Sequence, residues 1–501
     1  MQLSGQILSK VNKEIAKDLL GISIRLAQKD STIWGIDTEA ATRLNWVDLP
    51  IKSRELMPQL DSLSAWARTN RLDRVILCGM GGSSLAAEVI AAAYGKDLLV
   101  IDSTHPAQIL SACETDLHHS VIIIGSKSGT TIETISHLKL FTSKLIELGL
   151  APKDHLVIIT DPGTPLDISS RRQGFRVVNA DPNVGGRYSA LSAFGLVPAA
   201  LMGIDTSVLL DDAEALSQTL ITPDSPAIRI ASLLFTETKQ FVNFCDLDSK
   251  LPGLSDWIEQ LISESTGKNH RGRLPVVIED PSSATKELTI GFAKGDFDLS
   301  IEASLGEQFI LWEWVTALLC YLLKVDPFNQ PNVTEAKERT SQILMKMGSK
   351  EFAAPEPFLE TPTYLLYSNQ KISTLQEFLE TPASYIAVMA YLARGKDDQV
   401  MKIRSPLSKK LDRPVTFGWG PRFLHSTGQI HKGGQPNGCF VQITTNIALD
   451  LPIPNEEFTF ANLLMAQALG DAAALTERNL PLIRIHLKST QTGITDLLKE
   501  F

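Results

Sequence analysis

The sequence predicts an α/β protein built on doubly wound parallel sheets. Short runs of apolar, largely β-branched residues recur after residue 70, with helical segments between them. Glycine- and serine-rich turns follow two of these runs, as at the carboxyl ends of parallel strands. A length of 501 residues is too great for one core, so two or three domains are expected.

Composition is that of an ordinary soluble globular protein, with 44% hydrophobic and 21% charged residues. The net charge of −10 argues against nucleic-acid and anionic-membrane partners, so an anionic ligand needs a local positive site. The N-terminus lacks the layout of a secretory signal. Five scattered cysteines without a CxxC pair suggest neither a zinc site nor a disulfide framework. A cytoplasmic protein is therefore expected.

Apolar periodicity predicts helices up to about residue 70, then two α/β units with a boundary near Pro223 and Pro226. In the first unit the predicted strands are Arg74–Cys78, Leu98–Ile101, Val121–Ile124, Leu156–Ile159 and Phe175–Val178. In the second unit a helix is predicted at Ala227–Phe241, strands at Leu274–Ile278 and Leu288–Phe292, and an apolar core helix at Phe309–Val325. Residues 345–385 give no clear pattern. Strands at Val415–Gly418 and Cys439–Thr444 and a helix at Phe458–Ala474 follow.

The turn after the third strand carries the clearest binding signal. The buried strand leads into Gly125, and a helix is predicted from Ile132. The N–H groups of a first helical turn have no intrahelical partner and attract anions. Polar residues crowd the turn and the start of the helix: Ser126, Lys127, Ser128, Thr130, Thr131 and Thr134. One hydroxyl would suffice for an N-cap, so a phosphate site is the favoured interpretation and a plain cap the alternative.

A second glycine-rich turn, Gly79–Ser84, follows the first strand. It resembles part of a dinucleotide-binding fingerprint, but the third glycine is not at the required spacing. Asp102, after the next strand, stands roughly where such sites place the acid that binds ribose. NAD binding is therefore kept as a minor alternative.

Two charged residues stand beside glycines further along. Arg187 follows Gly185 and Gly186, which let a ligand approach the backbone, so it is a candidate anion donor; a surface arginine is the equal alternative. Glu264 precedes the helix break at Gly267, where a carboxylate can face a cleft. A solvated acid near a helix end is the commoner case.

Two later segments hold further polar candidates. Gln330 and Lys337 are seven residues apart and point the same way if the segment is helical. His425 and His431 lie among glycines and two cations in the segment 420–434. A structural histidine is the default, but this polar setting favours a site role.

Together these motifs resemble the glucose-6-phosphate isomerase family. The resemblance rests on five segments in chain order: Gly79–Ser84, Ser126–Thr131, Gly185–Ser189, Glu264–Lys268 and Pro327–Pro331. His425–Gln429 also resembles a family motif with a catalytic histidine. The likeness is greatest to the isomerase half of transaldolase–isomerase fusion proteins, although no transaldolase barrel fits in this chain. The family has two sugar-isomerase (SIS) domains, which implies a helical region at 1–70, a first SIS domain at 71–222 and a second at 223–501 with a C-terminal extension.

The resemblance implies reversible isomerisation of glucose 6-phosphate and fructose 6-phosphate through an enediol, in glycolysis and gluconeogenesis. It implies Glu264 as the proton shuttle and Arg187 as the donor that stabilises the enediolate. His425 and Lys337 are implied as the pair that opens the sugar ring. The implied substrate contacts are Gly82, Ser83, Ser126, Lys127, Ser128, Thr131 and Gln330. It implies no metal or organic cofactor, and a homodimer.

Three positions depart from the family pattern. Thr266 stands where the family commonly has Asn, and Gly129 stands where many members carry a bulky residue, which would widen the pocket. His425 follows Lys337 in the chain, whereas the histidine motif usually comes first, so His431 stays an alternative. Two other functions stay open: a relaxed isomerase that also accepts mannose 6-phosphate, and a non-catalytic SIS-domain sensor of sugar phosphates.

Overall fold

A computed structural model describes residues 1–279, 285–347 and 355–501; inside its helices, the side chains at 333, 334, 336, 337 and 347 are not described. The chain divides into two compact units. Unit 1 consists of Met1–Asp102, Thr115–Glu279 and Lys286–Asn329. Unit 2 contains Ser103–Glu114 and Gln330–Phe501.

The secondary structure alternates between strands and helices over most of the described chain. The strands are β1 Gln2–Ser4, β2 Arg74–Gly79, β3 Leu99–Ile101, β4 Ser120–Gly125, β5 Leu156–Thr160, β6 Arg176–Asn179, β7 Phe241–Cys245, β8 Leu274–Val277, β9 Thr289–Gly291, β10 Leu299–Glu302, β11 Leu359–Glu360, β12 Tyr364–Ser368, β13 Tyr385–Ala390, β14 Val415–Trp419, β15 Gly438–Thr445 and β16 Leu482–Leu487. The helices are α1 Lys13–Ala27, α2 Leu49–Lys52, α3 Met57–Thr69, α4 Leu85–Ala93, α5 Pro106–Cys113, α6 Ile132–Glu147, α7 Pro165–Arg172, α8 Ala193–Leu201, α9 Thr206–Ser217, α10 Pro226–Thr236, α11 Leu254–Thr266, α12 Leu305–Leu323, α13 Pro331–Met347, α14 Leu375–Leu379, α15 Arg404–Leu411, α16 Gly428–Gly433, α17 Phe460–Glu477 and α18 Thr490–Leu497.

The first sheet of unit 1 has five parallel strands in the order β3-β2-β4-β5-β6. Strand β4 is buried at every position, as expected for a parallel strand covered on both faces. The chain moves outward from β2 in one direction and from β4 in the other. The strand order therefore reverses between β2 and β4, and the crevice at their carboxyl ends is where such sheets bind ligands.

The second sheet of unit 1 has the order β1-β10-β9-β7-β8. Strands β7 to β10 are parallel, and β1 pairs antiparallel with β10 at the edge. Helix α12 is buried over most of its length and begins with a capping box formed by Ser304 and Glu307. Glu313 in this helix is fully buried, and burial raises the pKa of its carboxyl well above the ordinary value.

Unit 2 holds a third sheet in the order β11-β12-β16-β15-β13-β14. Strands β16, β15, β13 and β14 are parallel, whereas β12 and β11 add antiparallel strands at one edge. Its own apolar core includes Phe378, Val388, Val441 and Ile485. In the described parts of both units, no helix combines the length and apolar character needed to cross a bilayer.

The predicted α/β class with parallel sheets is confirmed, and the predicted strands lie within two residues of those observed. Two expectations are wrong in detail. The helix predicted at Ala227–Phe241 ends at Thr236, and the apolar run from Phe241 forms a central strand because it is buried at every position. The region up to residue 70 is not wholly helical, since Gln2–Ser4 completes the second sheet.

Candidate active site

Glu264 and Arg187 form a buried ion pair in unit 1. Arg187 Nη1 lies 2.9 Å from Glu264 Oε1. The Glu264 side chain is only 6% exposed and the Arg187 side chain only 3%. Glu264 lies in the last turn of α11, which the chain buries along nearly its whole length. Gln260, one turn earlier, donates from Nε2 to the other carboxylate oxygen at 3.2 Å. A carboxylate oriented by two separate donors is a candidate general base.

Arg187 is held by more than its carboxylate partner. Its Nε donates to Ser265 Oγ at 2.8 Å, and its Nη2 donates to the backbone carbonyls of Pro327 and Asn329. The residue belongs to a short 3-10 helix, Gly186–Tyr188, that follows the glycine turn. These bonds fix the plane of the guanidinium, so Arg187 is a buried cation beside a carboxylate and not a surface arginine.

Lys268 is a further buried cation in the same region, and the sequence interpretation gave it no role of its own. Its ammonium donates to the backbone carbonyl of Asp326, in the turn that also accepts from Arg187. Burial, aided by the neighbouring Arg187 charge, lowers the pKa of Lys268 to about 7. The signal for it was present, because Lys268 closes the Glu264–Lys268 motif.

Gly82 packs directly against the Arg187 turn. A Cβ on Gly82 would lie 2.2 Å from the carbonyl oxygen of Gly186, so glycine is required by this close approach. Ser189 Oγ donates to the Gly82 carbonyl at 3.2 Å, and Ser83 is buried beside it. Close packing of this turn therefore explains the glycine at position 82 without a bound dinucleotide. This weakens the alternative of NAD binding.

The hydroxyl-rich turn lies at the carboxyl end of β4, next to the end of β2. Gly79 pairs with Gly125 across the two strands, and a Cβ on Gly125 would lie 3.4 Å from the Ser83 carbonyl oxygen. Ser126 Oγ donates to Thr131 Oγ1 at 3.0 Å. Thr131 is the N-cap residue of α6 and makes no side-chain capping bond. The hydroxyls are therefore not used as an ordinary cap, which favours the anion-site interpretation.

Ser128 and Thr130 make a second hydroxyl pair in the same turn, with their oxygens 3.0 Å apart. Lys127 points elsewhere: its Nζ lies 2.7 Å from Asp161 Oδ2 and also donates to the Asp181 carbonyl. Burial lowers the pKa of Lys127, an effect that the Asp161 hydrogen bond opposes. The charge of Lys127 is thus already matched by a carboxylate.

Gly129 has a left-handed backbone, with φ +66°, and a Cβ there would lie 2.8 Å from Thr164. Leu166 also approaches this position at 3.0 Å. The space beside Gly129 is therefore filled by the protein. The absent side chain does not widen a pocket, and the expectation drawn from it for a relaxed sugar preference loses its basis.

The remaining predicted residues belong to unit 2. Gln330 immediately precedes α13, which contains Lys337, although the Lys337 side chain lies outside the described atoms. His425 ends a short 3-10 helix after β14 and is half-buried. Gln429 joins the two segments: its Oε1 accepts from the Asn332 backbone N–H at 3.1 Å, and its Nε2 donates to Asn332 Oδ1 at 2.8 Å. The reversed chain order of the two motifs thus does not keep them apart.

His431 occupies a different environment from His425. Its ring is buried, and its Nδ1 lies 3.0 Å from the hydroxyl of Tyr385 in β13. Burial, with a smaller contribution from Lys432, lowers the pKa of His431 to about 3. Lys432 in turn forms a fully buried ion pair with Asp471 of α17. Both residues anchor α16 to the body of unit 2, which is a structural arrangement.

Metal and thiol chemistry have few candidates in the described chain. No group of three or more His, Cys, Asp or Glu residues there is arranged to hold a metal ion. None of the five cysteines, all of which the structure describes, forms a disulfide, and burial raises the pKa of the Cys320 thiol to about 12.

Comparison with known proteins identifies the family. The sequence profile of the family described as Phosphoglucose isomerase matches residues 9–274, just over half of the chain. The chain belongs to the phosphoglucose isomerase family. The match covers β2 to the start of β8, and with them the hydroxyl-rich turn, Arg187 and Glu264.

Curated relatives of the family align mainly with the same part. A glucose-6-phosphate isomerase of Thermus thermophilus is 33% identical over 244 residues, which are 46% of this chain and 58% of the relative. The Methanocaldococcus jannaschii enzyme of the same name is 30% identical over 257 residues, 47% of this chain and 64% of the relative. The chain therefore spans less than two thirds of the length of these relatives.

Solved structures extend the likeness along the chain. A hypothetical protein from Thermus thermophilus superposes with a TM-score of 0.60 at 25% identity, covering 68% of this chain and 99% of that one. A glucose-6-phosphate isomerase from Chlamydia trachomatis gives a TM-score of 0.56 at 19% identity, covering 68% and 86%. The second likeness shows the shared fold.

Proposed function

We propose that this member of the phosphoglucose isomerase family interconverts glucose 6-phosphate and fructose 6-phosphate, in glycolysis and gluconeogenesis. The observation that carries the proposal is the buried Glu264–Arg187 pair, 2.9 Å apart, within the part of the chain that matches the family. Aldose–ketose isomerisation needs one base that serves two adjacent carbons and one cation for the oxyanion that develops. Glu264 and Arg187 supply these two groups.

In this proposal Glu264 removes the proton from C1 of the open ketose and returns it to C2 of the enediol. Charge develops on the sugar oxygens as the proton leaves. The Arg187 guanidinium is held by Ser265 and the carbonyls of Pro327 and Asn329, so its positive charge is fixed in place beside Glu264 before that charge develops. Gln260 keeps the carboxylate in one orientation from the second oxygen.

The phosphate of the substrate is assigned to the turn that follows β4. Ser126, Ser128 and Thr131 offer hydroxyls there, and the start of α6 offers backbone N–H groups without a side-chain cap. Gly82 and Ser83 are assigned to the sugar, since their turn abuts both this loop and the Arg187 turn. Lys127 is assigned a supporting role, because its ammonium is bound to Asp161.

Ring opening is assigned to His425 and Lys337, with Gln330 as a positioning contact for the sugar. The choice of His425 is supported by its half-buried position. His431 is fully buried against Tyr385 with a pKa lowered to about 3, so it is a poor proton carrier near neutral pH. The link between Gln429 and Asn332 supports a joint role for the two motifs.

Further parts of the proposal rest on the sequence and on the family resemblance. The sequence supports a cytoplasmic location. The resemblance supports a homodimer, an isomerase that needs no cofactor, a first SIS domain at 71–222 and a second at 223–501 with a C-terminal extension. The likeness to the isomerase half of transaldolase fusions also stays a prediction. The relaxed mannose 6-phosphate hypothesis has lost its structural argument at Gly129, and a sensor would not require Glu264 beside Arg187.

The test is conversion of fructose 6-phosphate by the purified chain, followed through a glucose-6-phosphate dehydrogenase coupled assay. Turnover that is lost in Glu264→Gln supports the proposal. Tight binding of fructose 6-phosphate without any turnover would instead support the sensor. Equal turnover of mannose 6-phosphate would support the relaxed isomerase.

A further inference from the structure

Gln429 and Asn332 form a reciprocal pair of hydrogen bonds across 97 residues of sequence. The Gln429 carbonyl oxygen accepts from the Asn332 backbone N–H at 3.1 Å, and the Gln429 amide nitrogen donates to Asn332 Oδ1 at 2.8 Å. Gln429 is completely buried. Both bonds lie inside unit 2, and both lengths are within the usual range for N–H···O hydrogen bonds.

The first of these bonds acts as a cap on α13 that comes from another segment. The first N–H groups of a helix have no intrahelical partner, and the first residue of α13, Pro331, has no N–H at all. The N–H of Asn332 is therefore the first donor of the helix that needs an acceptor. Gln429 provides that acceptor and grips the Asn332 side chain at the same time.

Each end of this link carries one of the two ring-opening candidates. Lys337 lies five residues after Asn332 in α13, and His425 lies four residues before Gln429. Each segment also forms its own ion pair with α17 or its end: Glu335 pairs with Arg478, the residue that follows α17, and Lys432 pairs with Asp471 inside it. The Gln429–Asn332 pair joins the two segments to each other directly.

We propose that Gln429 is a positioning residue for ring opening, which holds the start of the Lys337 helix against the His425 segment. This inference rests on the proposed isomerase function. Gln429 acts by holding the two segments together through its side-chain amide and does not touch the reacting atoms. Loss of its bonds should therefore slow the step that needs both segments, and it should leave the Glu264–Arg187 pair in unit 1 intact.

Exchange between the α and β anomers of glucose 6-phosphate isolates this step. The exchange requires opening and closing of the ring but no proton transfer at C2. In a Glu264→Gln background, isomerisation is blocked, and NMR exchange spectroscopy then reports catalysed ring opening alone. We expect Gln429→Met, which keeps the volume but removes both hydrogen bonds, to lower the catalysed exchange about tenfold.

Two controls separate positioning from a general loss of structure. Asn332→Asp keeps the backbone N–H and an acceptor for the Gln429 amide, so exchange should stay within about twofold of the parent. Binding of arabinonate 5-phosphate, an acyclic acid that needs no ring opening, is measured by calorimetry in the Glu264→Gln background. Gln429→Met should leave that affinity within about twofold.

The possible outcomes each decide the matter. Unchanged anomer exchange in Gln429→Met overturns the inference, as does a parallel tenfold loss of exchange and of arabinonate affinity, which would mean general damage. A parent without catalysed exchange, but with isomerase activity when Glu264 is present, also overturns it while the proposed function stands. If the unmodified chain does not convert fructose 6-phosphate at all, the proposed function fails first.

Discussion

The Arg187 guanidinium meets the Glu264 carboxylate at 2.9 Å in the interior of unit 1. The position of Arg187 is also fixed by hydrogen bonds to Ser265, next to Glu264, and to the turn at Pro327 and Asn329. Removing one member of a buried pair leaves the other charge without compensation, whereas removing both does not. The pair is thus expected to couple stability to activity.

Arg187→Ala should lower the free energy of unfolding by about 3–5 kcal/mol, because the Glu264 carboxylate is left buried and unpaired. Adding Glu264→Gln should recover part of that loss, because the remaining group is neutral. Urea denaturation of the two single variants and the double variant measures the coupling. Arg54→Ala is the control: its partners Asp211 and Glu214 are exposed, so about 0–1 kcal/mol is expected. Strictly additive effects would contradict the coupling.

Gly82→Ala should abolish activity and destabilise unit 1. The new Cβ would lie 2.2 Å from the Gly186 carbonyl oxygen, so the two turns must separate. Gly186→Ala is a matched control, because a Cβ there meets nothing within 4 Å. Thermal melting and the coupled assay on both variants distinguish them. A Gly82→Ala protein with unchanged activity would show that the close approach of the turns is not needed.

Ser126→Ala should raise the KM for fructose 6-phosphate about tenfold, since a hydrogen bond to a charged group contributes about 1.5–3 kcal/mol. The kcat should change little, because the phosphate does not take part in proton transfer. Ser143→Ala serves as the control: Ser143 lies in the same helix α6, and its hydroxyl donates to Glu147, one turn further along that helix. If the unmodified chain, Ser126→Ala and Ser143→Ala have equal KM values, Ser126 does not bind the substrate phosphate.

His431 should make unit 2 sensitive to acid. Its pKa is about 3 in the folded protein and 6.5 ordinarily, because burial disfavours the charged ring. Protonation therefore favours unfolding: the contribution of His431 to stability is full above pH 6.5 and is lost as the pH falls toward 3. The loss at pH 5 is about 2 kcal/mol, at about 1.36 kcal/mol per pH unit.

His431→Gln should remove this part of the stability loss at acid pH. Urea denaturation at about pH 8 and at about pH 5 measures it, through the difference between the two midpoints. Some acid sensitivity should remain, because burial also lowers the pKa values of His105 and His486 to about 4. The control is His118→Gln, at an exposed position, which should show the same pH dependence of stability as the unmodified protein. If His431→Gln also shows that pH dependence, the buried neutral ring of His431 does not cause the acid sensitivity of unit 2.

Much of the fold could be predicted from the sequence because strands buried on both faces are continuous apolar runs. Val121–Ile124 and Leu156–Ile159 were recognisable for that reason, and they form the centre of the first sheet. Phe241–Cys245 was missed because only the four residues Glu237–Gln240 separate its apolar run from the apolar helix that precedes it. β1 was missed because a three-residue strand depends on its partner β10, far along the chain, and not on local pattern.

In the candidate site, too, some residues could be predicted from local sequence pattern and others could not. Arg187, Glu264 and the hydroxyl-rich turn stood out because glycines and polar residues follow apolar runs at those points. Gln260 could have been found as well, since four residues before Glu264 it shares one face of a helix. The bond between Gln429 and Asn332 could not, because no local rule predicts a hydrogen bond over 97 residues.

The central claim is that Glu264 carries a proton between C1 and C2, and one measurement addresses it directly. Fructose 6-phosphate is incubated with the protein in deuterated water, and the glucose 6-phosphate formed is analysed by NMR. A shuttling carboxylate exchanges part of its proton with solvent, so we expect deuterium at C2 with the unmodified chain and no product with Glu264→Gln. Product that forms equally well in Glu264→Gln, or that never carries deuterium at C2, would contradict the account.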